Sequence, residues 1–119
     1  VPSEDEMNLL MKEFGDNPFI GYWHDFGHIQ RKHNLLILNH EQFLRRMSSH
    51  LIGGHVNDVK WPARDHQVPL LGGVVPFERL LPFFPHGVPL VWELSSRVSS
   101  EDIRAAHKLW MEKFPQTLA

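Results

Sequence analysis

Residues 23–30 read WHDFGHIQ, a segment that continues a short apolar run and carries Asp25 and His28. Both side chains can bind a metal ion or carry a proton. The same arrangement occurs twice more, in GGHVNDV at 53–59 with His55 and Asp58, and in VWELSS at 91–96 with Glu93. Three successive apolar runs are therefore each followed by side chains that can do chemistry.

The three apolar runs are predicted to be strands of a parallel sheet. They cover about 19–23, 51–56 and 88–92, are rich in β-branched and aromatic residues, and lack clean alternation of apolar and polar positions. Such runs are typical of strands that are buried on both faces. Their starts are separated by about 33 and 37 residues, which is the length of a βα unit rather than of a hairpin.

Four amphipathic segments are predicted to be helices. Their apolar stripes are Met7, Leu10, Met11 and Phe14; Phe43, Leu44 and Met47; Phe77, Leu80 and Leu81; and Ile103, Ala106, His107, Trp110 and Phe114. The expected N-caps, each with a polar partner three residues on, are Ser3 with Glu6, Asn39 with Gln42, and Ser99 with Asp102. Pro82 predicts that the third helix is short or kinked. Helices and strands then alternate, which indicates a single α/β domain over residues 1–119 with a long polar loop at 57–73.

Composition limits the function classes. The chain has 42% hydrophobic and 22% charged residues, a formal net charge of −2 and no cysteine. Nucleic-acid binding is disfavoured because there is no long basic cluster, and the lack of cysteine excludes disulfides and suits a reducing compartment. No apolar stretch approaches the ~20 residues of a membrane span, and the acidic start is unlike a signal peptide. A cytoplasmic setting without membrane attachment is therefore expected.

Asp25, His55 and Glu93 form the candidate metal site. Carboxylate oxygen and neutral imidazole nitrogen suit a divalent ion such as Mn²⁺, Mg²⁺, Co²⁺ or Zn²⁺, and the three residues follow three neighbouring strands. A structural interpretation remains open, with Asp25 as a helix N-cap beside a loop imidazole. Asp65 and His66 are likewise either site residues or part of a solvated loop. Most of the other histidines are interpreted as surface or helix-packing residues: His33, His40, His50, His86 and His107.

The chain resembles the C-terminal half of a xylose isomerase-like TIM barrel, a superfamily of sugar isomerases and epimerases and of endonuclease IV-like enzymes. The resemblance covers about residues 18–115 and rests on four motifs in order. They are Asp25-Phe26-Gly27-His28, His55-Val56-Asn57-Asp58, Asp65-His66 with Pro69 and Gly72-Gly73, and Glu93. The resemblance implies a partial (β/α)8 barrel of about three βα units, with parallel strands and helices on the outer side.

The resemblance also implies roles for the site residues. Asp25, His55 and Glu93 would be metal ligands together with a Glu from the preceding strand, which this sequence lacks. Glu93 would also act as an acid/base, and His28 would bind a substrate oxygen or a second metal ion. Asp58, Asp65 and His66 would be additional site residues. Phe26 stands where many relatives have Thr, and it is expected to place an aromatic ring toward the site.

The length of the chain leaves two functional hypotheses open. A complete barrel needs about 250 residues, and three parallel strands cannot close one. The expected partner is therefore either a missing N-terminal half-barrel or a second copy in a homo-oligomer. One hypothesis is a metal-dependent sugar or polyol isomerase or epimerase that is incomplete alone. The alternative is a non-catalytic, self-associating half-barrel that retains a small-molecule or metal-binding pocket.

Overall fold

A computed structural model describes residues 3–118 of the chain. The helices and strands in that range are α1 Glu4–Phe14, β1 Tyr22–Asp25, α2 Phe26–Asn34, α3 His40–Met47, β2 Leu51–Val56, β3 Asp58–Lys60, β4 Arg64–Gln67, α4 Phe77–Leu80, β5 Leu90–Trp92 and α5 Ser100–Lys113. Short 3-10 turns follow α3, α4 and α5 at Ser48–His50, Leu81–Phe83 and Pro115–Leu118. The fold is therefore mixed α/β.

The strands β1, β2 and β5 form a parallel sheet with β2 in the centre. Parallel pairing of the three predicted strands is thereby confirmed. The register sets Asp25 opposite His55, and His55 opposite Val91. The first strand begins at Tyr22 rather than near 19, and the three strands of the described chain do not close into a barrel.

The predicted helix caps are confirmed in the structure. Ser3 and Glu6 form a complete capping box, and the side chains of Asn39 and Ser99 accept hydrogen bonds from the third residue of their helices. Each cap satisfies a backbone N–H that has no partner inside the helix. The helix after Pro76 is a single turn, because Pro82 falls in the 3-10 turn that follows it.

Two elements differ from the sequence prediction. The segment 26–34 is a helix, α2, although only Phe26 and Ile29 are apolar in it and Gly27 disfavours helix. The segment 57–73 is not a plain loop, because β3 and β4 pair in an antiparallel hairpin within it. Neither segment carries the apolar periodicity that identifies an element from sequence, and α2 was anticipated only by the alternative in which Asp25 is a helix N-cap.

The core lies between the helices and one face of the sheet. Tyr22 and Val56 from the strands pack there with side chains of the helices: Ile29, Phe43, Leu44, Met47, Phe77, Leu80, Trp110 and Phe114. The Phe26 ring is fully buried in this core, stacked on Phe84 with the ring centroids 5.2 Å apart. The expectation that Phe26 faces the site is therefore wrong, because it is the first residue of α2 and turns toward the helices.

The core also encloses two histidines. His24 and His40 are both buried, and their Nε2 atoms lie 2.8 Å apart. His40 is thus not a surface residue, and its burial is explained by this partner. The His24 ring also contacts Phe26 edge to face, with the centroids 4.9 Å apart.

The opposite face of the sheet, named here the open face, carries Trp23, Ile52 and Val91. Their exposed fractions are 37%, 54% and 48%, although side chains of this size are usually buried. Successive residues of a strand point to opposite faces, so Asp25, two residues after Trp23 on β1, shares this face with it. No helix within residues 3–118 is long and apolar enough to cross a membrane.

Candidate metal centre

The parallel register brings Asp25, His55 and Glu93 together. One potential ligand atom from each lies within 4.8 Å of the other two, and no other group of three such residues in the described chain is this close. His55 Nδ1 lies 3.0 Å from Glu93 Oε2 and 3.7 Å from Asp25 Oδ2. Asp25 ends β1, His55 lies near the end of β2, and Glu93 directly follows β5.

The geometry of this group fits a divalent ion. Ligand atoms about 2.0–2.3 Å from a common ion lie roughly 3–4.5 Å from one another, close to the separations observed here. Two carboxylates and one imidazole are donors that Mn²⁺, Zn²⁺ and related ions accept. The exposed fraction of the side chain is 16% for Asp25 and 44% for Glu93, so an ion can reach the group from solvent.

Each carboxylate is held by its second oxygen. Asp25 Oδ1 accepts a hydrogen bond from the His28 backbone N–H at 2.9 Å, and Glu93 Oε1 lies 3.1 Å from His66 Nε2. The remaining oxygens, Oδ2 and Oε2, both face His55 Nδ1. Neighbours that orient ligands in this way are typical of metal sites.

Asp25 has both of the roles considered for it from the sequence. It is the N-cap of α2, and it is also a member of the three-residue group. Asn57 supports it, because the Asn57 side-chain N–H donates to Asp25 Oδ2 at 3.4 Å. The other Asn57 amide atom, Oδ1, is buried with no hydrogen-bond partner among residues 3–118 and occupies the place that a Cβ on Gly27 would take. Gly27 is therefore needed where the helix passes Asn57.

His28 and His66 lie at the rim of the group. Their rings meet edge to face, with the centroids 5.4 Å apart, and His28 Nδ1 is 3.7 Å from Asp25 Oδ2. His66 has a φ of 51°, in the left-handed region that residues other than glycine seldom adopt. Such local strain is concentrated at functional sites. The unusual backbone of His66 directs its ring to Glu93.

Asp65 connects this rim to α2. Its carboxylate lies 3.4 Å from His66 Nδ1 and 3.1 Å from Arg31 Nη1. Desolvation raises the pKa of Asp65, but the hydrogen bond with His66 and the charges of His66 and Arg31 outweigh it, so the pKa is lowered. Asp65 therefore stays ionised and holds His66 in position.

Asp58 lies apart from the group. Its Oδ1 accepts backbone hydrogen bonds from Val59 at 2.8 Å and Val75 at 2.9 Å, and its Oδ2 accepts one from Leu70 at 3.4 Å. Burial raises the pKa of Asp58 above its usual value, and these hydrogen bonds offset only part of that rise. Asp58 organises the turn at 70–75, whereas the neighbouring Asn57, which the sequence did not single out, contacts the site.

A mainly apolar cleft of about 310 Å³ adjoins the group along β1, whose outer edge pairs with no strand of residues 3–118. Asp25 and His28 lie at its polar end, and Met7, Tyr22, Trp23 and Phe43 contribute to its walls. Pockets with apolar walls and a few polar groups are typical of small-molecule sites.

No protein-family model matches this chain, and a search of curated proteins finds no sequence similar to it. A function is therefore inferred from the geometry of the site.

Proposed function

We propose that the chain is a partial barrel of the xylose isomerase-like type that binds a divalent ion and acts in the isomerisation or epimerisation of a sugar or polyol. Asp25, His55 and Glu93 would hold the ion. The observation that supports this most directly is the convergence of their ligand atoms within 4.8 Å, on three neighbouring parallel strands.

The side chains divide the work of such a reaction. A bound divalent ion would supply a Lewis acid that polarises the substrate carbonyl and hydroxyl. Glu93 would act as one acid/base of the proton transfer and the carboxylate that this sequence lacks as the other, and His66, 3.1 Å from Glu93, would set its orientation. His28 would hydrogen-bond a substrate oxygen, since its ring lies beside the ligands at the end of the cleft.

The ligand set is one carboxylate short of what the resemblance implies. The fourth ligand would come from a strand that precedes β1, so it would reach the ion across the outer edge of β1. A missing half-barrel or a second copy would bring it there. We therefore expect the chain alone to bind the ion weakly and to turn over substrate only when that edge is covered.

The second candidate is a non-catalytic half-barrel that self-associates. It is favoured by the open face, where Trp23, Ile52 and Val91 remain exposed. Under this proposal the metal or small-molecule pocket is retained without turnover. Turnover of a ketose or aldose by the self-associated chain in the presence of Mn²⁺ would exclude the second candidate.

Calorimetric titration with Mn²⁺ or Zn²⁺ tests the metal site. We expect binding to the wild-type chain, and its loss in Glu93→Gln and His55→Ala, because each substitution removes one of three ligands. The matched control is His107→Ala, an exposed histidine on α5 outside the group. Equal binding by all three variants would show that the group is structural, and the catalytic proposal would then fail.

A further inference from the structure

A second cleft, of about 400 Å³, lies next to the metal group and is strongly polar. It is formed by the β3–β4 hairpin and by the segment that follows β5, and its polar wall consists of Arg64, Asp65, Gln67, Ser95 and Arg97. This volume is within the roughly 300–1,000 Å³ of small-molecule sites. The function proposed above does not use the cleft.

The cleft carries uncompensated positive charge. Neither Arg64 nor Arg97 forms an ion pair with any residue in the range 3–118, and the one acid in the wall, Asp65, is already paired with Arg31 at 3.1 Å. Lys60 stands directly opposite Arg64 across the hairpin. Like charges in this position destabilise a hairpin, and an anion bound there would remove the repulsion. This concentration of cations occurs in a chain whose net charge is −2.

The cleft and the metal group share two short stretches of backbone. Asp65 lines the cleft, and its neighbour His66 contacts Glu93 at 3.1 Å. Ser95 also lines the cleft, lies two residues after Glu93, and donates its backbone N–H to the His66 carbonyl at 2.8 Å. The cleft and the metal group are therefore neighbours, joined through the contact between His66 and Glu93.

We propose that this cleft holds the phosphate of a phosphorylated sugar or polyol whose carbon chain reaches Asp25, His55 and Glu93. Guanidinium groups bind phosphate oxygens in pairs, so two unpaired arginines suit this group better than they suit a neutral hydroxyl. Gln67 and Ser95 add hydrogen-bonding groups to the wall. The identity of the substrate rests on the function proposed above, whereas the anion site does not.

Titration with inorganic phosphate at constant ionic strength tests the anion site on the full chain. We expect Arg64→Gln combined with Arg97→Gln to weaken phosphate binding about tenfold or more, since charge-assisted hydrogen bonds are lost. The matched control is Arg104→Gln, an exposed arginine on α5 that lies outside the cleft and whose guanidinium donates a hydrogen bond to Ser100. Equal phosphate binding by the wild type and the double variant, or none at all, would overturn the anion site.

The substrate class is tested with D-ribulose and its terminal phosphate ester in the presence of Mn²⁺. We expect the ester to bind more tightly than either D-ribulose or inorganic phosphate, and the arginine double variant to lose that advantage. Mn²⁺ binding should be the same in the double variant and the wild type. An ester that binds no better than inorganic phosphate would overturn the link to the metal group. If the wild-type chain binds phosphate but does not bind Mn²⁺, only the function proposed above would be overturned.

Discussion

A buried chain of hydrogen bonds runs from Tyr22 through His24, His40 and Gln30 to Asn34. The heavy-atom distances along it are 2.9, 2.8, 2.7 and 2.9 Å. Gln30 uses its N–H on Asn34, so its oxygen accepts from His40 Nδ1–H. His40 Nε2 then accepts from His24 Nε2–H, and His24 Nδ1 accepts from the Tyr22 hydroxyl. Every member is satisfied only while both histidines are neutral.

The buried pair of His24 and His40 predicts that the protein loses stability in mild acid. Burial, and then the proximity of the other ring, holds the pKa of His24 well below its usual value. Burial, followed by the charge of His33, lowers the pKa of His40 to about 3. Unfolded histidines take up protons near pH 6.5, whereas the folded pair resists until far lower pH, so unfolding binds protons between these values. Stability is complete above about pH 6.5 and falls with decreasing pH, by up to about 1.4 kcal/mol per pH unit for each histidine.

Urea unfolding at pH 7.5 and pH 5 measures this effect. The double variant His24→Phe with His40→Leu should show a smaller difference between the two pH values than the wild type. His107→Gln, at an exposed position, should keep the wild-type difference. The same pH dependence in the double variant would mean that other groups are responsible.

The sequence predicted the location of those site residues whose place is fixed by the end of a strand. Asp25, His55 and Glu93 converge because the carboxyl ends of parallel strands meet at one edge of a sheet, and that needs only the location of three apolar runs. The sequence indicated Asp58 as a site residue, whereas Asn57 is the residue that contacts the site. This was not predictable, since β2 ends at Val56 and the following turn decides which side chain faces the site. The contact between His24 and His40 depends on the packing of α3, which no local pattern reveals.

At the scale of the elements, Asp25 connects β1 to α2, because it is the last residue of β1 and the N-cap of α2. Asn is as good an N-cap as Asp, so Asp25→Asn should keep the hydrogen bond from the His28 N–H while removing the charge. We expect this variant to lose metal binding and the weak hydrogen bond from Asn57, and to keep the stability that the cap contributes. Asp25→Ala should lose metal binding and about 1 kcal/mol of stability as well.

Urea unfolding of the two Asp25 variants, together with Mn²⁺ titration, separates the cap from the ligand. If the Asn variant is destabilised as much as the Ala variant, the charge rather than the cap stabilises this junction. Undiminished Mn²⁺ binding in the Asn variant would remove Asp25 from the ligand set. The Asn39 cap of α3, which lies outside the metal group, provides the comparison for an ordinary capping effect.

Helices with a cap and an apolar stripe were predicted well, as α1, α3 and α5 show. The β3–β4 hairpin was missed because its strands, Asp58–Lys60 and Arg64–Gln67, are mostly charged or polar and alternate weakly. It is held instead by backbone pairing and by the buried Asp58 carboxylate. Tertiary contacts therefore determine the element that carries Asp65 and His66 to the site.

The whole molecule exposes more surface than a closed domain of its size. Its accessible area is 7354 Å², whereas a folded chain of 13.9 kDa is expected to expose about 6,700 Å². The radius of gyration is 14.4 Å, against about 13.5 Å expected for this length. The excess area is about 650 Å², somewhat less than the roughly 800 Å² that each partner buries in a standard interface. The open face, with Trp23, Ile52 and Val91, is the surface that such an interface would cover.

We therefore expect the isolated chain to self-associate through the open face. At tens of micromolar, light scattering should give the mass of a dimer or larger oligomer, with more than about 1,200 Å² buried in total. Ile52→Lys should yield the monomer, because it places a charge at the centre of the apolar surface. Leu36→Lys makes a similar change at a side chain that is 92% exposed in the loop between α2 and α3, and it should leave the oligomer intact. A stable wild-type monomer, or an oligomer that Ile52→Lys does not dissociate, would contradict this mode of assembly.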